Sequence, residues 1–318
     1  MYIAALDIGG TKTIVAICDE KGQVCEKKVF PTVVSNSDLH LDNCVLAFRN
    51  LFSRMGINAP SIIGIGVSLP GVVNSEEGVL LYAPYSRWRN VRIAEYLSKK
   101  LNIDKVVCEN DVNACAIGEQ IFGVGRKYKD FIWITVSTGI GGAVVVNSEL
   151  VKGTQGFAGE LGHLKVEYTN PARCSCGQYG CMEAHASGTA ITNVIQQKIK
   201  NEPAFAGLFS ATSVEQNGIG CEKLARTGNE DALRIFEQVG IYLGRGISYC
   251  VNILNTQAVI IGGGVAESLD LMLPGIQVAV KKNVFEKVQD FEVVKTPLGY
   301  EAALLGAVAL VIQAKESL

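Results

Sequence analysis

Apolar residues along this chain fall into short runs broken by glycine. Tyr2 to Ile8 is one run, Thr13 to Cys18 a second and Val24 to Phe30 a third, with Gly9-Gly10 between the first two. Short apolar runs split by Gly-rich turns predict antiparallel strands. The rhythm then changes. Asp38 to Met55 places Leu39, Val45, Leu46, Phe48, Leu51 and Phe52 at helical spacing. Ser61 to Ser68 predicts a strand, Val91 to Leu101 a helix, Lys105 to Cys108 a strand, and Asp111 opens a helix that runs to Phe122. The plan repeats in the second half. Asp130 to Ser137 predicts a strand ending in Thr138-Gly139-Ile140-Gly141-Gly142, and Ala143 to Asn147 is the returning strand. A long helix follows over Asp231 to Leu254, then a strand over Ala258 to Ile261, the run Gly262-Gly263-Gly264, a helix, and a strand over Phe291 to Lys295. A terminal helix covers Tyr300 to Lys315. Two halves that both begin strand, glycine turn, strand imply two similar α/β lobes with a cleft between them.

Composition agrees with that plan. A length of 318 residues makes two domains the natural expectation. Apolar residues at 48% and charged residues at 19% give material for sizeable cores and no disorder signature. The net charge of −2 gives no reason to expect nucleic acid or an anionic membrane as partner. The longest apolar run, Ala302 to Ile312, is too short to span a bilayer. The stretch from Met1 to Asp7 lacks the basic and apolar regions of a signal peptide. A cytoplasmic protein with reduced thiols is the expectation, and there clustered cysteines point to metal or catalysis rather than to disulfides.

Such a cluster exists. Cys174, Cys176 and Cys181 lie close behind His163, one of only three histidines. Three thiols and an imidazole make a complete tetrahedral set for structural Zn²⁺. Glu160 and Glu183 flank these ligands, and a purely structural knot would not need them. A zinc-bound imidazole must find an acceptor for its second nitrogen; a ligand hydroxyl or an internal carbonyl or carboxylate would serve. His40 and His185 have no comparable context and read as surface or packing residues. Cys18, Cys25, Cys44, Cys108, Cys115, Cys221 and Cys250 read as small core or boundary residues.

The glycine turns are the second signal. Asp7-Ile8-Gly9-Gly10-Thr11-Lys12-Thr13 and Thr138-Gly139-Ile140-Gly141-Gly142 each sit between two strands. Successive backbone amides in such turns can converge on phosphate oxygens; Thr11, Thr13 and Thr138 add hydroxyls and Lys12 a cation. Neither turn matches a P-loop, and each taken alone also fits an ordinary Gly-rich hairpin. Gly263, after a strand and before a helix, sits where a ribose or base can approach the backbone. Asp7 is placed either to anchor Mg²⁺ beside phosphate or to cap a turn. Asp111, in Glu109-Asn110-Asp111, is expected as the N-cap of its helix and as a base for a hydroxyl that attacks a γ-phosphate.

Together these residues resemble the ROK family of sugar kinases and sugar-responsive repressors, within the actin-like ATPase superfamily, over nearly the whole chain. Asp7 to Thr13 resembles its first phosphate motif, Pro70-Gly71 its sugar loop, Glu109 to Asp111 its catalytic segment and Thr138 to Gly142 its second phosphate motif. Glu160-Leu-Gly-His163 with Cys174-x-Cys176-Gly-x-x-Gly180-Cys181-x-Glu183 resembles its sugar and zinc signature, and Ile261 to Gly264 its adenosine motif. The resemblance implies an α/β, two-lobed actin-like ATPase (ribonuclease H-like) fold. Each lobe would be a mixed sheet flanked by helices: a small lobe over 1–115 with the C-terminal helix 301–318 packed on it, and a larger lobe over 116–300 carrying the zinc. It implies Asp111 as general base, Gly71, Asn110, Asp111, Glu160, His163 and Glu183 as sugar contacts, and Asp7, Gly9, Gly10, Thr11, Lys12, Thr13, Thr138, Gly139 and Gly263 around ATP and Mg²⁺. Zinc would be held by His163, Cys174, Cys176 and Cys181.

The implied reaction is ATP-dependent phosphorylation of an aldohexose 6-hydroxyl by a homodimer. Glucose is the first choice; mannose, allose, fructose and an N-acetylhexosamine stay open, as does polyphosphate as donor. The chain departs from the family where Tyr85 follows Ala83-Pro84, a place where glucokinase-like members carry Asn. It also has Val72 where N-acetylmannosamine kinases carry Arg. The family's repressors have a winged helix-turn-helix ahead of the first motif, which here begins at residue 7, so a non-catalytic sugar sensor ranks second. A zinc-ribbon binding module ranks last, for want of a basic patch.

Overall fold

The computed structural model of the chain describes residues 1–201, 214–288 and 290–316. They form two compact units. The first comprises residues 1–127, 150–158 and the chain from Pro297 onward; the second comprises Tyr128–Glu149 and Gly159–Thr296.

In the first unit, β1 (Tyr2–Ile8), β2 (Lys12–Asp19) and β3 (Val24–Pro31) form an antiparallel meander followed by α1 (Ser37–Met55) and β4 (Ile62–Leu69). A small three-stranded sheet interrupts the plan: β5 (Val72–Asn74), β6 (Val79–Tyr82) and β7 (Arg89–Val91). Strands of three or four residues are too short to show alternation, so this sheet was not legible in the pattern. Pairing of β7 with β6 also delays the next helix, α2, to Ile93–Leu101. β8 (Val106–Asn110) and α3 (Asp111–Ile121) follow.

The second unit contains β9 (Phe131–Val136), β10 (Ile140–Val146), the Glu149 half of the two-residue β11 (Glu149–Leu150), α4 (Met182–Ala186), α5 (Gly188–Asn201), α6 (Val214–Arg226) and α7 (Glu230–Leu254). These are followed by β12 (Ala258–Gly262), α8 (Leu269–Asn283) and β13 (Glu292–Lys295). The terminal helix α9 (Ala302–Glu316) returns to the first unit; positions 317–318 of the expected helix lie outside the described residues.

The internal repeat is real at the level of topology. The main sheets run β3-β2-β1-β4-β8 and β11-β10-β9-β12-β13. In each, the first strand pairs antiparallel with the second and parallel with a later one: β1 with β4, and β9 with β12. β1 is apolar on both faces because both are covered. Ala4, Leu6 and Ile8 pack in one cluster with Leu41, Phe48 and Leu51 of α1, while Ile3 and Ala5 pack with Leu304, Ala307, Val308 and Val311 of α9. Side chains alternate across a strand, so one seven-residue run serves two cores.

Helix α9 reaches the sheet closely because glycine lets it. A β-carbon on Gly66 would lie 1.7 Å from the Ala307 carbonyl oxygen, and one on Gly306 would lie 2.3 Å from that of Ala114 in α3. The packing of α9 on α3 also explains why the first unit extends to Lys127 rather than stopping near residue 115. Cys18, Cys44, Cys108, Cys115, Cys221 and Cys250 are buried as expected of small apolar residues, whereas Cys25 is exposed.

Candidate active site

Three parallel strands of the first unit end together. Asp7 of β1 pairs with Ser68 of β4, and Leu69 of β4 pairs with Asn110 of β8. Ligands of open α/β sheets bind beyond the carboxyl ends of such strands. Here that edge carries Asp7, the first glycine turn, Gly71 and Asn110-Asp111.

The helix start differs from expectation. The N-cap is Asn110, not Asp111: its Oδ1 accepts the amides of Val112 (2.9 Å) and Asn113 (3.3 Å), leaving Asp111 as the first helical residue. An amide side chain can cap and still donate, and Asn110 Nδ2 donates to the carbonyl of Gly71 at 3.1 Å. Gly71 has φ 128°, and a β-carbon there would meet the Tyr82 carbonyl at 2.4 Å, so only glycine fits this loop. Glu109 is spent internally. It pairs with Lys152 (2.7 Å), accepts the Ser75 hydroxyl (2.7 Å) and the Asn113 amide (3.2 Å), and is buried. Asp111, by contrast, is engaged only locally, by the amides at the helix start and by Asn110.

The Asp111 charge acts on Asp7. Burial pushes the Asp7 carboxyl up to about 7, the Asp111 charge adds to that, and the Ser68 hydroxyl and Lys12 offset part of it. Burial likewise raises Asp111, opposed by the amides at the helix start and by Asn110. Two half-buried carboxyls at one strand edge, the charge of one raising the other, are a ready oxygen-donor site for a hard divalent cation.

In the glycine turn itself, Gly10, Thr11 and Lys12 are exposed, and the amide of Gly9 donates to the Lys12 carbonyl at 2.9 Å. Thr13 departs from the expected role. It is fully buried and its hydroxyl is engaged with Thr32 (2.8 Å) and His40 (3.1 Å), so it braces the turn from within. Tyr85, noted in the sequence only as a departure, packs on this turn. A β-carbon on Gly10 would lie 3.8 Å from its ring, and burial followed by the charges of Asp111 and Asp7 raises its phenol to about 12.

The second unit gathers the remaining residues. The ligand atoms of His163, Cys174, Cys176 and Cys181 all lie within 4.8 Å of one another. Cys176 Sγ and Cys181 Sγ are 3.8 Å apart, and Cys174 Sγ is 3.7 Å from His163 Nδ1. A tetrahedral zinc with Zn–S of about 2.3 Å places its sulfurs roughly 3.8 Å apart, and a disulfide would need about 2.05 Å. The four groups therefore fit a zinc ion. Burial pushes the Cys174 thiol up to about 12, so a metal there must displace its proton. Lys165 Nζ lies 3.2 Å from Cys181 Sγ, a cation well placed beside thiolates.

With Nδ1 turned to the sulfurs, His163 Nε2 faces outward, 3.8 Å from Glu160 Oε2, too long for a direct hydrogen bond. His185, read as surface or packing, accepts the Ala172 amide at 3.0 Å and packs on Tyr242, pinning the same loop.

Glu183 ties this loop to the second glycine turn. Its Oε2 accepts the Ile140 amide (3.1 Å) and its Oε1 accepts the Ser175 hydroxyl (2.7 Å). A β-carbon on Gly139 would lie 2.5 Å from Glu183 Oε2. Thr138 is exposed, and its carbonyl accepts the Thr189 hydroxyl at 2.8 Å, which anchors the start of α5 on the turn. Thr189 was not singled out in the sequence, where nothing linked it to a turn 51 residues away. Gly263, with φ 88°, would carry a β-carbon 2.4 Å from the Val136 carbonyl, so the third glycine run lies against the end of β9. A cavity of about 310 Å³ in this unit is lined by Thr138, Gly139, Arg173, Ser175, Glu183 and Asn193 among others. Among the described residues no helix is long and apolar enough to cross a membrane.

The sequence matches the ROK family over residues 3–314. It is 33% identical over 314 residues to a glucokinase of Thermotoga maritima, covering 98% of this chain and 97% of the relative. It is 29% identical over 313 residues to a xylose repressor of Bacillus spizizenii, covering 98% of this chain and 77% of the relative. Among solved structures, a ROK family glucokinase of Streptomyces griseus, in complex with glucose and AMPPNP, superimposes with a TM-score of 0.82 at 29% identity, covering 98% of this chain and all of that one. A match that runs nearly end to end, on a structure whose two sheets repeat one strand order, leads to one conclusion: this chain belongs to the ROK family and has its two-lobed actin-like ATPase fold.

Proposed function

We propose that the protein is an ATP-dependent hexose kinase acting on the 6-hydroxyl of an aldohexose, glucose first. The observation that carries this reading is the half-buried pair of carboxyls, Asp7 and Asp111, beside the exposed Gly10-Thr11-Lys12 turn at one strand edge. In the proposed reaction Asp111 takes the hydroxyl proton as that oxygen attacks the γ-phosphorus. The new O–P bond forms while the bond to the β-phosphate breaks, and ADP leaves. A carboxyl raised by burial is a better base near neutral pH than an exposed one, and its place in the first turn of α3 keeps it in position. Lys12 and the turn amides would hold phosphate oxygens, and Thr138, Gly139 and Gly263 are the further nucleotide contacts of this reading.

Mg²⁺, when bound at Asp7, would neutralise phosphate charge. Zinc would fix the His163 ring so that Nε2 reads a sugar hydroxyl, with Glu160, Glu183, Asn110 and Gly71 as further contacts. Tyr85 and Val72 replace the residues that mark particular sugars in the family, so mannose, allose, fructose and N-acetylhexosamines belong in the substrate panel. Homodimerisation and a cytoplasmic location go with this reading.

A coupled ADP-release screen over hexoses and amino sugars, with and without Mg²⁺ and with polyphosphate as an alternative donor, tests the proposal. Asp111→Asn should lower kcat by roughly 10²- to 10⁴-fold while sugar binding persists; unchanged turnover would remove Asp111 as the base. The similarity to a xylose repressor favours a second reading, a sugar sensor without catalysis. Tight hexose binding with no ADP release from any sugar would support that one.

A further inference from the structure

His40 lies outside every recognised motif, yet it is fully buried in α1 and wired to the first glycine turn. Its Nδ1 accepts the Val33 amide at 3.2 Å, which places the ring proton on Nε2. Nε2 in turn faces the Thr13 hydroxyl at 3.1 Å. A hydroxyl that receives this proton has its own to give, and Thr32 Oγ1 lies 2.8 Å from Thr13 Oγ1. The Thr32 hydroxyl then donates to the Gly9 carbonyl at 2.8 Å. The tautomer therefore sets one direction for the whole chain: His40 to Thr13, Thr13 to Thr32, Thr32 to Gly9. The Thr32 amide adds a second tie, to the Thr11 carbonyl at 3.0 Å. Burial holds the imidazole down at about 4, so the ring stays neutral and the direction is kept. Phe30 and Trp88 flank the ring at 5.9 and 5.3 Å.

We infer that His40 is a positioning residue for the phosphate donor: through the Thr13 and Thr32 hydroxyls it withholds the Gly9 carbonyl from the ligand side, so that phosphate oxygens meet amides rather than a carbonyl dipole. This rests on the reading of the turn as a phosphate site. It also assigns a task to Thr32 and replaces the ligand-facing role expected of Thr13.

Side-chain length provides the test. In His40→Gln the terminal amide nitrogen occupies the Nε2 position and can still donate to Thr13. In His40→Asn it falls short, while both variants lose the ring. Titration calorimetry with ADP should show affinity within about twofold of wild type for His40→Gln and about five- to tenfold weaker for His40→Asn, the scale of one displaced hydrogen bond. Glucose affinity and melting temperature should not separate the two. Thr13→Val should reproduce the ADP loss and Thr13→Ser should not, and the double variant His40→Asn/Thr13→Val should be no weaker than Thr13→Val alone. Should His40→Asn fail to fold, the Thr13 pair decides. Wild-type ADP affinity in both His40→Asn and Thr13→Val would overturn the assignment, as would parallel loss of ADP and glucose binding in proportion to stability. A wild type that binds no ADP would overturn both this assignment and the kinase reading.

Discussion

Asp7→Asn replaces a half-buried carboxyl by its neutral isostere, and the structure sets the size of the effect. The Asp7 carboxyl moves from its ordinary 3.8 to about 7 on folding. Each tenfold change in proton affinity is worth about 1.4 kcal/mol, so holding Asp7 ionised above pH 7 costs up to roughly 4 kcal/mol. The sign follows from the direction. The folded chain binds this proton more tightly than the unfolded chain, so the contribution of Asp7 to stability is complete below about pH 4 and is lost as pH rises to about 7. Asparagine does not titrate. In EDTA, the stability of Asp7→Asn relative to wild type should therefore grow by about 3 kcal/mol between pH 4.5 and 8. Carboxyls remote from Asp7 contribute alike to both proteins and cancel in the difference; Asp111, whose charge acts on Asp7, is the exception. Urea denaturation followed by circular dichroism at several pH values measures it. Millimolar Mg²⁺ should stabilise wild type at pH 8 and leave Asp7→Asn nearly unmoved, because a cation favours the ionised pair. Parallel pH–stability curves for the two proteins, or equal stabilisation of both by Mg²⁺, would refute the argument that Asp7 is a desolvated, cation-seeking carboxylate.

Purified protein should contain about one zinc per chain by elemental analysis. Cys176→Ser should lose the metal and weaken sugar binding through His163, so an unaltered sugar KM in metal-free protein would detach the metal from the substrate. Gly306→Ala pushes a β-carbon to 2.3 Å from the Ala114 carbonyl, against backbone that cannot yield, and should cost on the order of 1–3 kcal/mol in urea denaturation. Gly218→Ala in α6 meets nothing within 4 Å and should instead gain up to about 1 kcal/mol from helix propensity. Equal midpoints for these two glycine variants would contradict the close approach of α9 to α3.

Much of this protein was determined locally and could be read without coordinates. β1, α1, β12 and α7 lie within about two residues of the runs that predicted them, because strand and helix periods are written in neighbouring side chains. The four zinc-set residues come together as their spacing implied, since three of them share one eight-residue loop whose reach is short. The repeat of strand, glycine turn, strand became two sheets with one strand order.

What the sequence withheld are facts that depend on distant residues meeting. Asn110 took the cap from Asp111 because Gly71, 39 residues earlier, offers a carbonyl to its amide. Thr13 looked like a ligand donor until burial placed His40 and Thr32 against it. Asp7 and Asp111 are ordinary acids in the chain. Only the parallel pairing of β1, β4 and β8 brings them to one sheet edge, where partial burial changes what their carboxyls do. Hydrogen-bond direction and proton affinity are properties of surroundings, and surroundings exist only after the chain has folded.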